Sequence, residues 1–143
     1  MKKIGFISLF LMSILTQAQK VNWVTFEELS SLTKQKAKPI MVFIHTDWCK
    51  YCLMQEQSTF SDSAVVSNLN DNYYCVKLNA ETEETILFLN RDYNFNGSQN
   101  ELSWVLGAEN NQLLFPTTVV LSPQFQITNR WVGHLSKQVL LGN

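Results

Sequence analysis

Apolar residues fall along this chain in two rhythms, near-continuous runs and spacings of three and four, and the rhythms alternate. Val21-Asn22-Trp23-Val24 reads as a short edge strand. Thr25-Phe26-Glu27-Glu28 then has a hydroxyl followed three residues later by a carboxylate, so it opens a helix carrying Phe26, Leu29 and Leu32. Lys34, Lys36 and Lys38 gather at its end, where cations suit the helix dipole, and Pro39 stops it. Ile40-Met41-Val42-Phe43-Ile44 is apolar at every position, which predicts a central strand, 40–45, covered on both faces. A helix from Cys49 to about Thr59 should follow.

Further on, Ser61-Asp62-Ser63 can cap a helix with Val65, Val66 and Leu69, and Asn70-Asp71-Asn72 can end it. Tyr73 to Leu78 is the next strand. A hairpin is expected within 86–96, turning near Asn90-Arg91-Asp92. Ser98-Gln99-Asn100-Glu101 repeats the capping-box pattern ahead of Leu102, Val105 and Leu106, with Gly107 closing that helix. Thr117 to Leu121 and Gln126 to Val132 read as an antiparallel pair joined through Ser122-Pro123-Gln124-Phe125, and Ser136 can cap a last, short helix over 137–143.

The start of the chain changes the picture of where this domain works. Met1-Lys2-Lys3 is basic, Ile4 to Leu15 is apolar, and Thr16-Gln17-Ala18 offers small residues for cleavage, so residues 1–18 read as a secretory signal peptide ahead of one domain, 19–143. The apolar stretch falls short of the roughly 20 residues of a bilayer span. Export to the periplasm or beyond is the expectation. Losing Lys2 and Lys3 moves the net charge from −1 to −3, which invites neither nucleic acid nor an anionic membrane surface. Three cysteines leave one pair and one spare thiol.

That pair is Cys49 and Cys52, in Trp48-Cys49-Lys50-Tyr51-Cys52, directly after the apolar strand. A strand passing through a short turn into a helix sets Cys49 at the helix N-terminus, where unpaired N–H groups favour a thiolate. Cys52 lies one turn on, close enough to close a disulfide, and tucked behind. Helix position therefore makes Cys49 the nucleophile and Cys52 the resolving thiol. Glu56 falls at i+7 from Cys49 on the same face, so a carboxylate is expected beside both sulfurs, able to take a proton. Lys50 adds a nearby cation, and Tyr51 should flank the site; for Trp48, packing and substrate contact both remain open. Cys75, within a strand, reads as a buried apolar residue. His45 and His134 read as a satisfied hydrogen-bonding residue and an exposed loop residue.

Three separated pieces then resemble the thioredoxin superfamily: the strand into Trp48–Cys52, Phe115-Pro116-Thr117-Thr118 ahead of Val119-Val120-Leu121, and Val132-Gly133-His134-Leu135-Ser136-Lys137. Thr59-Phe60-Ser61-Asp62 and the acid four residues after Cys52 resemble the C-terminal reductase domain of DsbD-type thiol:disulfide interchange proteins. The resemblance implies an α/β, thioredoxin-like fold, a central mixed β-sheet flanked by helices. It implies a cis bond before Pro116, and a substrate groove bordered by Phe115, Pro116, Thr117 and Gly133, in which Phe115 and Thr117 offer backbone groups to an extended peptide. The family's buried aspartate, six residues before the first cysteine, is Phe43 here, which leaves Glu56 as the candidate acceptor.

The function expected is an exported thiol:disulfide oxidoreductase of protein-disulfide reductase type, with no cofactor. Its partners would be protein or peptide disulfides and a membrane or periplasmic thiol electron donor, and the chain would act as a monomer. A disulfide isomerase or oxidase of the same fold is the first alternative. From other classes come a metal site built from Cys49, Cys52, Cys75 and a histidine, and a redox-inert peptide-binding module. A second close ligand pair is absent, which argues against zinc, and Leu53 after Cys52 excludes covalent haem attachment.

Overall fold

The computed structural model describes residues 18–142. The proposed leader, apart from Ala18, lies outside them. Five strands form the main sheet in the order β1 (Trp23–Val24), β3 (Tyr74–Asn79), β2 (Ile40–His45), β6 (Thr117–Leu121), β7 (Ile127–Val132). β1 and β2 run parallel to β3, while β6 runs antiparallel to both β2 and β7, so the sheet is mixed as expected. Around it lie α1 (Phe26–Gln35), α2 (Lys50–Gln57), α3 (Ser63–Asn72), α4 (Glu101–Gly107) and α5 (Lys137–Leu141). Among these elements, no helix is long and apolar enough to cross a membrane.

Strand β2 is buried at all six positions because its alternate side chains enter two different cores. Ile40, Val42 and Ile44 join Leu29, Leu102 and Val119 on one face; Met41 and Phe43 join Val65, Leu69, Cys75, Cys49 and Cys52 on the other. The latter core carries an aromatic cluster in which Phe43 meets Phe60 edge-on at 5.0 Å and Trp23 at 6.4 Å. Cys75 is fully buried, and loss of solvation pushes its thiol up to about 12, which keeps it an unreactive core residue.

Helix starts follow the local chemistry. Thr25 and Glu28 form the expected reciprocal capping box. Asp62 caps α3 through Ala64 and Val65 N–H, and the Val65 bond, with Lys137 nearby, holds its carboxyl below the ordinary value. The helix predicted to open at Ser98 starts later. Asn100 is its cap, because its buried side chain accepts from Leu102 N–H while donating to the carbonyls of Glu84 and Tyr93, which ties α4 to the segment before it. Gly107 does not close α4 through left-handed geometry. It is the last helical residue, and a Cβ there would lie 2.7 Å from both Ile44 Cδ1 and Leu113 Cδ1.

The hairpin of β4 (Ile86–Phe88) and β5 (Arg91–Tyr93) turns one residue earlier than predicted, at Leu89-Asn90, with φ of 53° and 59°. Those paired positive values match the twist a two-residue hairpin needs. Helix α2 ends at Gln57 and a 3₁₀ turn, Thr59–Ser61, completes the stretch. Ser136 precedes α5 without a side-chain cap bond. Its neighbour Lys137 instead reaches Asp62 at 3.4 Å.

Candidate functional site

Register brings the three sequence pieces together. Ile44 pairs with Thr117 and Thr117 with Val132, so the C-terminal end of β2, the start of β6 and the end of β7 share one end of the sheet. Cys49 follows β2 there, Pro116 immediately precedes β6, and Gly133 immediately follows β7. The Phe115–Pro116 bond is cis, as the resemblance implied. The Pro116 carbonyl accepts Gly133 N–H at 2.7 Å, which fastens the last two pieces to each other.

Cys49 and Cys52 form a disulfide, with Cα atoms 5.2 Å apart. Cys49 is the N-cap of α2, and its Sγ accepts the backbone N–H of Cys52 at 3.1 Å. The helix start and that N–H both favour negative charge on the first sulfur. Cys49 is 6% exposed and Cys52 1%, so the first sulfur is the more accessible but less open than its helix position predicts.

Trp48 is 66% exposed, held by an indole N–H bond to Glu81 of 2.9 Å and an edge-on contact with Phe115 at 6.0 Å. Lys50 and Tyr51 are exposed on the same rim. Phe115 is half-buried. Thr117 is not on the groove surface: it is fully buried in the second strand in from the sheet edge, its hydroxyl donating to the Leu114 carbonyl at 2.7 Å. The polar side chain is turned inward because this strand, like β2, is covered on both faces. His134 is exposed, with Nε2 3.3 Å from Ser58 Oγ.

Beside the disulfide is a cavity of about 210 Å³ lined by His45, Asp47, Cys49, Cys52, Glu56 and Lys77. Glu56 shares this cavity with both cysteines, though it stands on its flank, about a third exposed, in an ion pair of 2.7 Å with Lys77 of β3. The face that continues inward from Cys52 passes instead through Gln55 and Thr59, both buried. Spacing of i, i+3 and i+7 from Cys52 was the sequence signal for that inward face, and the polarity of Gln55 and Thr59 hid it. Lys77 follows from β3 lying beside β2, where it is the register partner of Phe43. His45 is buried and stacks on Phe43 at 5.7 Å; burial, then the Lys77 charge, lowers its pKa from the ordinary 6.5. Among the described residues no group of three or more His, Cys, Asp or Glu side chains is arranged to hold a metal ion.

This arrangement, an N-capping cysteine bonded to a second one turn later at the end of a central strand, can exchange thiols for disulfides. A thioredoxin-like family model matches residues 22–123. No curated protein matches the chain. Among solved structures, the thioredoxin from Thermus thermophilus superposes with a TM-score of 0.63 at 20% identity, covering 87% of this chain and 84% of its own. A DsbH oxidoreductase gives 0.57 at 17% identity, covering 82% and 78%. A chain of a complex between ferredoxin:thioredoxin reductase and thioredoxin f2 gives 0.54 at 16% identity, covering 86% and 90%. These three likenesses speak to the fold. With the family match spanning most of the described residues, the chain belongs to the thioredoxin-like family and carries the Cys-x-x-Cys disulfide of a thiol-disulfide oxidoreductase.

Proposed function

We propose that the protein is an exported protein-disulfide reductase, and the observation that carries this reading is the Cys49–Cys52 disulfide with Glu56 and Lys77 beside it. In the reduced form the Cys49 thiolate attacks one sulfur of a substrate disulfide. The substrate S–S bond breaks, a mixed disulfide forms on Cys49, and one substrate thiolate leaves. Cys52 then gives its proton to Glu56 and attacks Cys49 Sγ, re-forming the internal disulfide and releasing the second substrate thiolate. Two electrons pass to the substrate. A dithiol donor must return them, which fits the resemblance to transporter-fed reductase domains. A base beside Cys52 speeds the step that completes reduction, whereas an isomerase gains from a mixed disulfide that lingers; this favours the reductase over its alternatives.

The groove for an extended peptide lies between the disulfide, the Phe115–Pro116 bend and Gly133, with Trp48, Lys50 and Tyr51 on its rim. The leader pattern of residues 1–18 supports delivery to the periplasm or beyond. Equilibration of Cys49–Cys52 with glutathione tests direction: a potential at or below roughly −230 mV is expected, and one near −120 mV would mark an oxidase instead. Cys52→Ser should trap a mixed disulfide through Cys49, because attack proceeds and resolution cannot. Absence of any trapped adduct would leave a redox-inert binding module as the better reading.

A further inference from the structure

Gln55 lies three residues beyond Cys52 and is fully buried, an unusual setting for a side-chain amide. Removal of that amide from water costs stability unless its hydrogen bonds are made, and an apolar side chain of the same volume would fill the space without that demand. Its bonds reach the two segments that follow Pro116 and Gly133. Oε1 accepts the backbone N–H of Leu135 at 2.9 Å, and Nε2 donates to Thr118 Oγ1 at 3.4 Å. One turn on, Thr59 Oγ1 donates to the Leu135 carbonyl at 2.7 Å. Both backbone groups of Leu135, two residues after Gly133, are thus held by side chains from the active-site helix and the turn that follows it. Thr118 stands two residues after Pro116.

The C-terminal segment has separate anchors, Asn68 Nδ2 to the Leu140 carbonyl at 2.8 Å and Lys137 to Asp62 at 3.4 Å. Loss of the Gln55 bonds would therefore leave that segment attached to the domain, and the Gly133–Pro116 bond in place, while the Leu135 N–H loses its partner on the helix that carries the cysteines. From this geometry we infer that Gln55, with Thr59, is a positioning residue. It fixes the Pro116 strand and the Gly133 loop relative to the Cys49–Cys52 disulfide, and so governs how tightly a peptide disulfide is gripped rather than how fast sulfur exchanges. The inference rests on the peptide-disulfide reading above.

Gln55→Met keeps the volume and removes both bonds. With a synthetic peptide carrying one internal disulfide, KM should rise about ten-fold, the scale of one or two net hydrogen bonds, while kcat stays within about two-fold. With the small disulfide 5,5′-dithiobis(2-nitrobenzoic acid), which needs no groove walls, kcat/KM should change less than about two-fold. Thr59→Val should reproduce the split and Thr59→Ser should abolish it; these variants decide the matter if Gln55→Met does not fold. Equal losses with both substrates, or an unchanged peptide KM, would overturn the positioning role while the reductase reading stands. A wild-type protein inert toward both disulfides would take both readings down.

Discussion

Glu56→Gln sets two effects of opposite sign against each other, and the structure says which should win. The variant removes the proposed proton acceptor for Cys52 and at the same moment frees Lys77 from its 2.7 Å partner, leaving an unneutralised cation beside the cavity that the cysteines line. A free cation favours the Cys52 thiolate and would speed resolution. Its leverage is small, because both side chains are about a third exposed, and pairs of that kind are worth about 1 kcal/mol at most, or roughly a five-fold change in rate. General-base help is typically worth about 10²-fold or more. Net slowing of the resolving step by about ten-fold or more is therefore expected. Reduced protein mixed with 5,5′-dithiobis(2-nitrobenzoic acid) in a stopped-flow instrument separates the steps, since attack by Cys49 releases one coloured thiolate and resolution by Cys52 a second. The second phase should slow and the first should not. Lys77→Met, which keeps the carboxylate, should alter the second phase by no more than about five-fold. A second phase in Glu56→Gln within about two-fold of wild type would refute the assignment, as would a Lys77→Met protein slowed as much as Glu56→Gln.

Gly107→Ala should destabilise by about 1–2 kcal/mol despite the better helix propensity of alanine, because the new Cβ would press on Ile44, which is fully buried, at 2.7 Å; a lowered urea midpoint at unchanged m-value is the readout, and a neutral result would mean that the δ-carbons of Ile44 and Leu113 move aside. His45 has a depressed pKa in the fold, so its stabilising contribution is fully present above its unfolded value near 6.5 and is lost as pH falls below that toward the folded value. Thermal unfolding between about pH 7.5 and pH 5 should thus fall more steeply for wild type than for His45→Gln; parallel curves, with Lys77, Glu56 and Asp47 unchanged around the site, would remove His45 from the balance.

What the sequence disclosed and what it hid divide along one physical line. Signals that act within a few residues were legible: the Thr25–Glu28 box, the Asp62 cap, and the unbroken apolar run of β2, which alternates between two cores. The N-capping place of Cys49 and its bond to Cys52 follow from a strand running into a helix, again a local matter. The cis bond before Pro116 was legible through resemblance, since nothing in Phe115-Pro116-Thr117 itself demands it. Hidden were the bonds that link distant segments. Asn100 won the cap of α4 from Ser98 because it also had to satisfy carbonyls of Glu84 and Tyr93. Thr117 was drawn toward the groove by its neighbours in sequence and turned inward by its place in a covered strand. Gln55 gave no signal in a reading that counts apolar residues as core, and its partners lie 63 and 80 residues away.

The departure at Phe43 shows how these two kinds of signal meet at the site. A carboxylate at that position would lie in the core among Met41, Val65 and Phe60 and would need a buried partner to remain charged. The phenyl ring needs none, and it packs edge-on to Phe60 and stacks under His45. Its register partner on β3, Lys77, is then free of any acid on β2 and reaches across to Glu56 on the active-site helix. On the reading proposed here, the acid–base partner of the resolving thiol has moved from the strand to the helix rim. Desolvation is lower there, so the charged pair stands at little cost, and salt screens it more than a buried group would be screened. On that proposal the aromatic core and the helix-borne acid belong together: with a phenyl ring in place of an acceptor at this position of β2, the proton of Cys52 leaves through the cavity between Glu56, Lys77 and His45.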